Sequence, residues 1–82
     1  MTKEHIEAAY THTIRNRAEL RISANCSCIA CQTIFSANEI DSWIDGGETA
    51  ICPYCGTDAV IGDASGYEMS ASFLQEMNVK YF

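Results

Sequence analysis

Four of the five cysteines in this 82-residue sequence form two C-x2-C pairs, and this spacing is its clearest chemical signal. The pairs are Cys28 with Cys31 and Cys52 with Cys55, with twenty residues between them. Two residues between cysteines allow a tight turn that places both sulfurs on one edge of a tetrahedron. Two such turns supply four thiolates at about 2.3 Å from a zinc ion. The spacing therefore predicts one closed zinc site with four cysteine ligands.

The fifth cysteine, Cys26, is an alternative ligand for the first pair. If it replaced Cys28, that pair would read C-x4-C, so we favour Cys28 because the two-residue turn makes the better knuckle. The second turn has further support in the sequence. Pro53 restricts φ within the turn, and Gly56 supplies the left-handed conformation that a knuckle needs after its second cysteine.

The stretch Cys-Pro-Tyr-Cys also matches the exchanging dithiol of a glutaredoxin, which would make the protein a thiol-redox protein. In thioredoxin-like folds that pair lies near the N-terminus and opens a long helix, and a cis-proline follows later in the chain. Here the pair begins at residue 52, GTDAVIGD follows it, and Pro53 is the only proline. We therefore rank redox exchange low. CPYCG also resembles a rubredoxin knuckle, but we expect zinc rather than iron, because the first pair lacks the following glycine and three helices are predicted.

A zinc ion with four protein ligands has no open position at which to activate a water molecule, so it does not hydrolyse a substrate. No serine, histidine and carboxylate constellation stands out elsewhere in the sequence. We therefore expect no catalytic residues and do not expect an enzyme.

Three helices and a short β-hairpin are expected around the cysteines. Apolar residues recur at spacings of four over about residues 3–21, which predicts an N-terminal helix. Ser36 and Glu39 form a capping box that predicts a short middle helix. Its apolar face and terminating glycines are Ile40, Trp43, Ile44, Gly46 and Gly47.

Strands are expected at residues 49–52 and 58–61, joined by the second cysteine turn, and a further short strand at 32–35. A C-terminal helix over about 70–79, capped by Ser70 or Ser72, completes the α+β prediction. We thus expect one zinc-stabilised domain of residues 1–82, with a zinc-ribbon-like core over about 26–62.

Composition and charge limit the classes of function. Hydrophobic residues make up 48%, charged residues 20%, and the mean hydropathy is −0.07, as in soluble globular domains. The formal charge of −6 disfavours nucleic acid and anionic membranes as partners. The N-terminus has no apolar signal and no apolar run reaches about 18 residues. We expect a cytoplasmic protein.

Two further features are candidates for interaction. Arg15, Arg17 and Arg21 lie near the end of the predicted first helix, where they either complement the helix dipole or form a small basic patch for an acidic group. Tyr54 lies at the tip of the second knuckle, where it either covers the metal or faces a binding partner.

The chain also resembles a family of small uncharacterised bacterial and mobile-element proteins described as cytoplasmic, over nearly all of its length. The residues that carry the resemblance are His12 with Asn16-Arg17, C-x-C-x2-C at 26–31, Phe35 with Glu39-Ile40 and Trp43, TAICPYCG, Val60-Ile61-Gly62, Ser65-Gly66-Tyr67, Phe73-Leu74, Met77 and the final aromatic. The resemblance implies a zinc-ribbon-type domain in a bacterial or phage setting, and no particular activity.

Our leading expectation is a non-catalytic, zinc-stabilised module that binds another protein through a basic surface of that partner, as an inhibitor, immunity protein or regulator does. A nucleic-acid-binding zinc ribbon is the main alternative, favoured by the three arginines and disfavoured by the net charge. The oligomeric state is left open.

Overall fold

The computed structural model describes residues 3–67 and 69–82. Within these residues the chain is a small α+β structure with short antiparallel strands, as the sequence predicts. The elements, in chain order, are α1 (Lys3–Tyr10), a 3-10 turn (Thr11–Thr13), α2 (Arg17–Arg21), β1 (Cys26–Cys28), β2 (Ile34–Phe35), a 3-10 turn (Ala37–Glu39), β3 (Trp43–Ile44), β4 (Thr49–Ala50), β5 (Val60–Gly62), a 3-10 turn (Asp63–Ser65) and α3 (Ala71–Tyr81). No helix in the described part of the chain is long and apolar enough to cross a membrane.

The strands form two antiparallel sheets. In the larger sheet β1 lies between β2 and β5, and in the smaller one β3 pairs with β4. The two strands predicted at 49–52 and 58–61 are present as β4 and β5, but they do not pair with each other. The hairpin around a cysteine turn is instead β1 with β2, at the first knuckle. Because β5 pairs with β1, the segment after the second knuckle lies beside the segment that enters the first.

The single helix predicted over 3–21 is interrupted, and this prediction was wrong in its extent. After α1 the chain makes a 3-10 turn, in which the hydroxyl of Thr13 donates to the Tyr10 carbonyl at 2.8 Å. Arg15 then adopts a left-handed conformation, with φ of 47°. Threonine hydroxyls that bond to nearby carbonyls compete with helix continuation. Tertiary contacts stabilise the break, since the Arg15 N–H donates to Thr49 Oγ1 at 2.8 Å.

The predicted middle helix is a single 3-10 turn. The capping box of Ser36 and Glu39 is present, with the Ser36 N–H donating to Glu39 Oε2 at 2.9 Å. The apolar residues that follow do not extend the helix, because Trp43 and Ile44 pair with β4. The diglycine predicted to end a helix instead forms the β3–β4 turn, where Gly46 and Gly47 have φ of 70° and 91°. Glycine adopts such angles without steric cost, which favours the hairpin.

The C-terminal helix expected over about 70–79 is α3. Ser70 caps it, because its hydroxyl oxygen accepts from the Phe73 N–H at 3.2 Å. The inner side of α3 consists of Phe73, Leu74 and Met77, all buried in the core with residues of β1 and β5. Asn78 extends this packing towards the first knuckle, since its side-chain amide donates to the carbonyls of Ile29 and Ala30.

Asn16 connects the helical segment to both sheets. Its side-chain amide donates to the Val60 carbonyl of β5 at 2.7 Å, and its Oδ1 accepts from the Ala50 N–H of β4 at 3.2 Å. The residue is buried, with 3% of its surface exposed. Buried backbone groups without hydrogen bonds are costly, so these contacts hold two strands that have no direct pairing with each other.

We predict that Asn16→Ala lowers the free energy of unfolding by about 2–3 kcal/mol, because it leaves the Val60 carbonyl and the Ala50 N–H buried without partners. Urea titration in excess metal ion measures the change. Asn38→Ala is the matched control, since Asn38 is exposed and its replacement is expected to cost no more than about 0.5 kcal/mol. Equal losses in the two variants would contradict the role of Asn16.

Candidate metal centre

The first cysteine pair lies on a tight turn that follows β1. The Gln32 N–H donates to the Cys28 carbonyl at 2.7 Å, and the Cys28 N–H donates to the Thr33 carbonyl at 3.1 Å. Gln32 has φ of 61°, so a non-glycine residue occupies the left-handed position after the second cysteine. The Thr33 hydroxyl lies 3.3 Å from Cys31 Sγ.

The second pair lies on a turn with the same set of hydrogen bonds. The Gly56 N–H donates to the Cys52 carbonyl at 3.0 Å, and the Cys52 N–H donates to the Thr57 carbonyl at 2.9 Å. Gly56 has φ of 78°, as predicted for a knuckle glycine, and the Thr57 hydroxyl lies 3.4 Å from Cys55 Sγ.

The sequence analysis missed the two threonines. Both turns read C-x2-C-x-T, in CIACQT and CPYCGT, so this repeat was the signal that could have found them. The threonine carbonyl closes each turn on its first cysteine, and the hydroxyl lies beside the sulfur of the second. Each knuckle is therefore a six-residue unit rather than a four-residue one.

The two turns bring four sulfur atoms together, all within 4.8 Å of one another. Across the turns, Cys28 Sγ lies 3.5 Å from Cys55 Sγ, and Cys31 Sγ lies 3.7 Å from Cys52 Sγ. A tetrahedral ion with sulfurs at about 2.3 Å has sulfur–sulfur edges of about 3.8 Å. A disulfide would need about 2.05 Å, and all five cysteines are free thiols. The donor set and its spacing therefore fit a metal ion.

Burial divides the four thiols into two kinds. In each turn the first cysteine is buried and the second is exposed. Burial raises the pKa of Cys28 and, to a smaller extent, that of Cys52. Burial also acts to raise the pKa of Cys55, but hydrogen bonds from Thr57 and the neighbouring thiols outweigh it and lower that pKa to about 7. Without a cation, the buried thiols keep their protons at neutral pH.

Cys26 lies outside the sulfur cluster, although it is only two residues from Cys28 in β1. Its sulfur is not part of the group formed by Cys28, Cys31, Cys52 and Cys55, whose sulfur atoms all lie within 4.8 Å of one another. Cys26 is fully buried in the hydrophobic core, where desolvation and, to a smaller extent, the charge of Asp63 raise its pKa to about 11. Cys26 therefore packs in the core as a small apolar side chain.

Tyr54 projects from the tip of the second knuckle, with 58% of its surface exposed. Its hydroxyl donates to Glu39 Oε1, and its ring lies 5.7 Å from that of Phe35. The hydrogen bond raises the pKa of Tyr54 and lowers the pKa of Glu39. Its backbone N–H points inward, to Cys52 Sγ at 3.4 Å. The ring is therefore held over the outer side of the knuckle and remains open to solvent.

The structure brings two of the three arginines to one groove. Arg17 and Arg21 lie one turn apart on α2 and line the same groove. Arg15 lies at the helix break, is exposed, and does not line that groove. Arg21 is in the last turn of α2, where it also suits the helix dipole.

Comparison with known proteins adds no assignment: no family model, curated protein or solved structure matches this chain.

We predict that Cys31→Ser weakens metal binding by more than the roughly 10- to 100-fold cost of losing a residue that hydrogen-bonds to a metal ligand, because it removes one of four thiolate donors. Cys26→Ala is the matched control, and we expect it to bind one ion per chain with unchanged affinity. Competition with a chromophoric chelator measures both. Loss of binding in Cys26→Ala with binding retained in Cys28→Ala would show that Cys26 is the ligand.

We also predict that the metal affinity falls as the pH falls. Binding requires thiolates, and burial raises the pKa of Cys28 and Cys52, so a bound cation displaces protons from them. Each displaced proton weakens the apparent affinity about tenfold for every unit by which the pH falls below the thiol pKa. Competition titrations at about pH 6, 7 and 8 test this. An affinity independent of pH would mean that the thiols are already ionised.

Proposed function

We propose that this chain is a non-catalytic, zinc-stabilised protein-interaction module that acts as an inhibitor, immunity or regulatory protein in a bacterial or phage setting. The observation that carries the proposal is the sulfur cluster. Four protein thiols with sulfur–sulfur distances of 3.5 and 3.7 Å across the turns occupy every position of a tetrahedral ion. Such a site has no place for a reacting water, so its role is to hold the two knuckles together.

Zinc is the metal that we propose, in preference to iron. Tetrahedral sulfur donors suit both metals, so the argument depends on the surrounding chain. The first knuckle has Gln32 where the second has Gly56, and it lies in a structure with three α-helices, so only one of the two turns resembles a rubredoxin knuckle. Binding of zinc to small four-ligand sites contributes on the order of 10 kcal/mol to folding, which an 82-residue chain can use.

The distribution of charge along the chain supports a protein partner with a basic face. All five Lys and Arg residues lie outside residues 22–79, a stretch that contains eight Asp and Glu residues. Four thiolates with one Zn²⁺ add two further negative charges to this stretch. A negative electrostatic field attracts a basic protein surface and repels nucleic acid. The resemblance noted in the sequence is what supports the bacterial or phage setting.

Tyr54 is the residue that we propose as the centre of this interaction surface. It is exposed, its backbone N–H points to Cys52 Sγ, and its side chain is oriented by Glu39 and Phe35. A tyrosine held in place loses little conformational freedom on binding and offers both an apolar ring and a polar hydroxyl. The metal centre would thus position the aromatic residue that a partner contacts.

We predict that removal of the metal unfolds the protein. A chelator in excess should abolish the near-ultraviolet circular dichroism signal of the folded chain, and stoichiometric Zn²⁺ should restore it, because folding and binding are coupled in small zinc domains. Elemental mass spectrometry of the purified protein is expected to find one zinc per chain. A folded protein without metal, or one with iron at full occupancy, would contradict the zinc assignment.

We predict that the zinc-loaded chain, immobilised and exposed to a bacterial lysate, retains a basic protein partner at about 50 mM salt and loses it at about 500 mM. Tyr54→Ala should reduce retention about tenfold or more, as substitutions of central interface aromatics do. Phe82→Ala is the matched control, because Phe82 is equally exposed, at 58%. Retention of nucleic acid instead of protein, or equal retention by Tyr54→Ala, would contradict the proposal.

A further inference from the structure

A groove of about 170 Å³ separates α2 from the segment that carries the capping turn and β3. Its walls are formed by the side chains of Arg17, Leu20, Arg21, Ala37 and Trp43. It therefore combines two cations with two aliphatic residues and an indole. Pockets for drug-sized ligands and cofactors have volumes of about 300–1,000 Å³, so this groove has room for a single residue-sized group.

Arg17 is held in position by two contacts. Its guanidinium lies over the Trp43 ring, 5.0 Å from the centroid, and its Nη1 donates to the Gly47 carbonyl at 2.8 Å. Stacking and one hydrogen bond orient the planar group but leave other N–H donors unused. A guanidinium oriented in this way loses little conformational freedom when it binds an anion.

Arg21 lies four residues after Arg17, so the two side chains share one face of α2. Like charges at this spacing destabilise a helix by a few tenths of a kcal/mol. Among the side chains of residues 6–67 and 69–82, no carboxylate forms an ion pair with either arginine, although the chain has more than twice as many acidic as basic residues. An anion between the two guanidinium groups would remove the repulsion and use their free donors.

The apolar walls decide what kind of anion fits. Leu20, Ala37 and Trp43 offer contact to an aliphatic group next to the charge. In an Asp or Glu side chain, the carboxylate is the end of the side chain, so no apolar group is attached beside it. In the last residue of a peptide, the carboxylate and an apolar side chain are attached to the same Cα atom. A nucleotide is larger than the groove. Charge, volume and apolar lining together favour a chain terminus.

We propose that this groove binds the C-terminal carboxylate of a peptide that ends in a medium-sized aliphatic residue, with Arg17 and Arg21 contacting the carboxylate. The peptide would belong to the protein partner proposed above, so the inference rests on that function. It adds a second contact, of opposite charge to the acidic stretch of residues 22–79 that contains Tyr54, and therefore defines how a partner is oriented on the chain.

The test uses isolated probes and the zinc-loaded full chain. Trp43 is the only tryptophan in the sequence, so its fluorescence reports on the groove alone. We expect N-acetyl-leucine to change this fluorescence in a saturable way, with a dissociation constant in about the millimolar range at constant ionic strength. N-acetyl-leucinamide, which lacks the charge, should bind about tenfold more weakly or not at all.

The matched pair of variants is Arg21→Gln and Arg15→Gln. Each variant removes one exposed arginine from the chain, but of these two arginines only Arg21 lines the groove. We expect Arg21→Gln to weaken binding of N-acetyl-leucine about tenfold and Arg15→Gln to weaken it less than about twofold. Far-ultraviolet circular dichroism and zinc content are expected to match the parent protein in both.

Three results would overturn the inference: equal losses in the two variants, equal binding of the amide, or no saturable change up to about 50 mM probe, well above a millimolar dissociation constant. N-acetyl-glutamate α-amide carries its carboxylate on the side chain. If it bound as tightly as N-acetyl-leucine, the ligand of the groove would be an acidic side chain rather than a chain terminus. Failure of the groove is distinguishable from failure of the proposed function, because partner retention that depends on Tyr54 would then persist in Arg21→Gln.

Discussion

The structure depends on one geometric requirement, which is that two turns from separate parts of the chain hold four sulfur atoms at the corners of a single tetrahedron. Two of those sulfurs are buried, and burial alone opposes their ionisation. Four thiolates at such distances would repel one another strongly in the absence of a cation. A metal ion removes that conflict, and the surrounding elements have the task of holding both turns in place while it is bound.

The two turns are built alike, but different elements support them. The first follows β1 directly, and the amide of Asn78 on α3 contacts two of its carbonyls. The second turn is held by β5, which follows it in the chain. β5 pairs with β1 up to Cys28, the first cysteine of the first turn, which lies opposite Val60. Asn16 links β5 to β4, the strand that precedes the second turn. Asn78 of α3 and Asn16 just before α2 therefore support the metal centre through side-chain amides bound to backbone groups, and neither is a ligand.

Charge is distributed unevenly along the chain, and this asymmetry limits how a partner can be oriented on the proposed interaction surface. The acidic stretch of residues 22–79 includes both knuckles, while Arg17 and Arg21 belong to a short helix that precedes it. Two cations line the groove between α2 and Trp43, and neither pairs with a carboxylate among the side chains of residues 6–67 and 69–82. A partner that contacts both regions must itself present both signs of charge, which restricts its orientation.

The sequence by itself determined the two C-x2-C turns, the α+β class of fold, the capping box at Ser36 and the C-terminal helix. Each of these follows from patterns of residues that are close together in the chain. Only the tertiary structure decided which strands pair, and where the first helix ends. Arg15 leaves the helical conformation in contact with Thr49, thirty-four residues away, and Trp43 joins a hairpin because the diglycine after it turns the chain back onto β4. In the first case a hydrogen-bonding partner thirty-four residues away outweighed the local helical pattern, and in the second a hairpin that pairs Trp43 with Ala50 did so. Neither partner can be read from helical spacing alone.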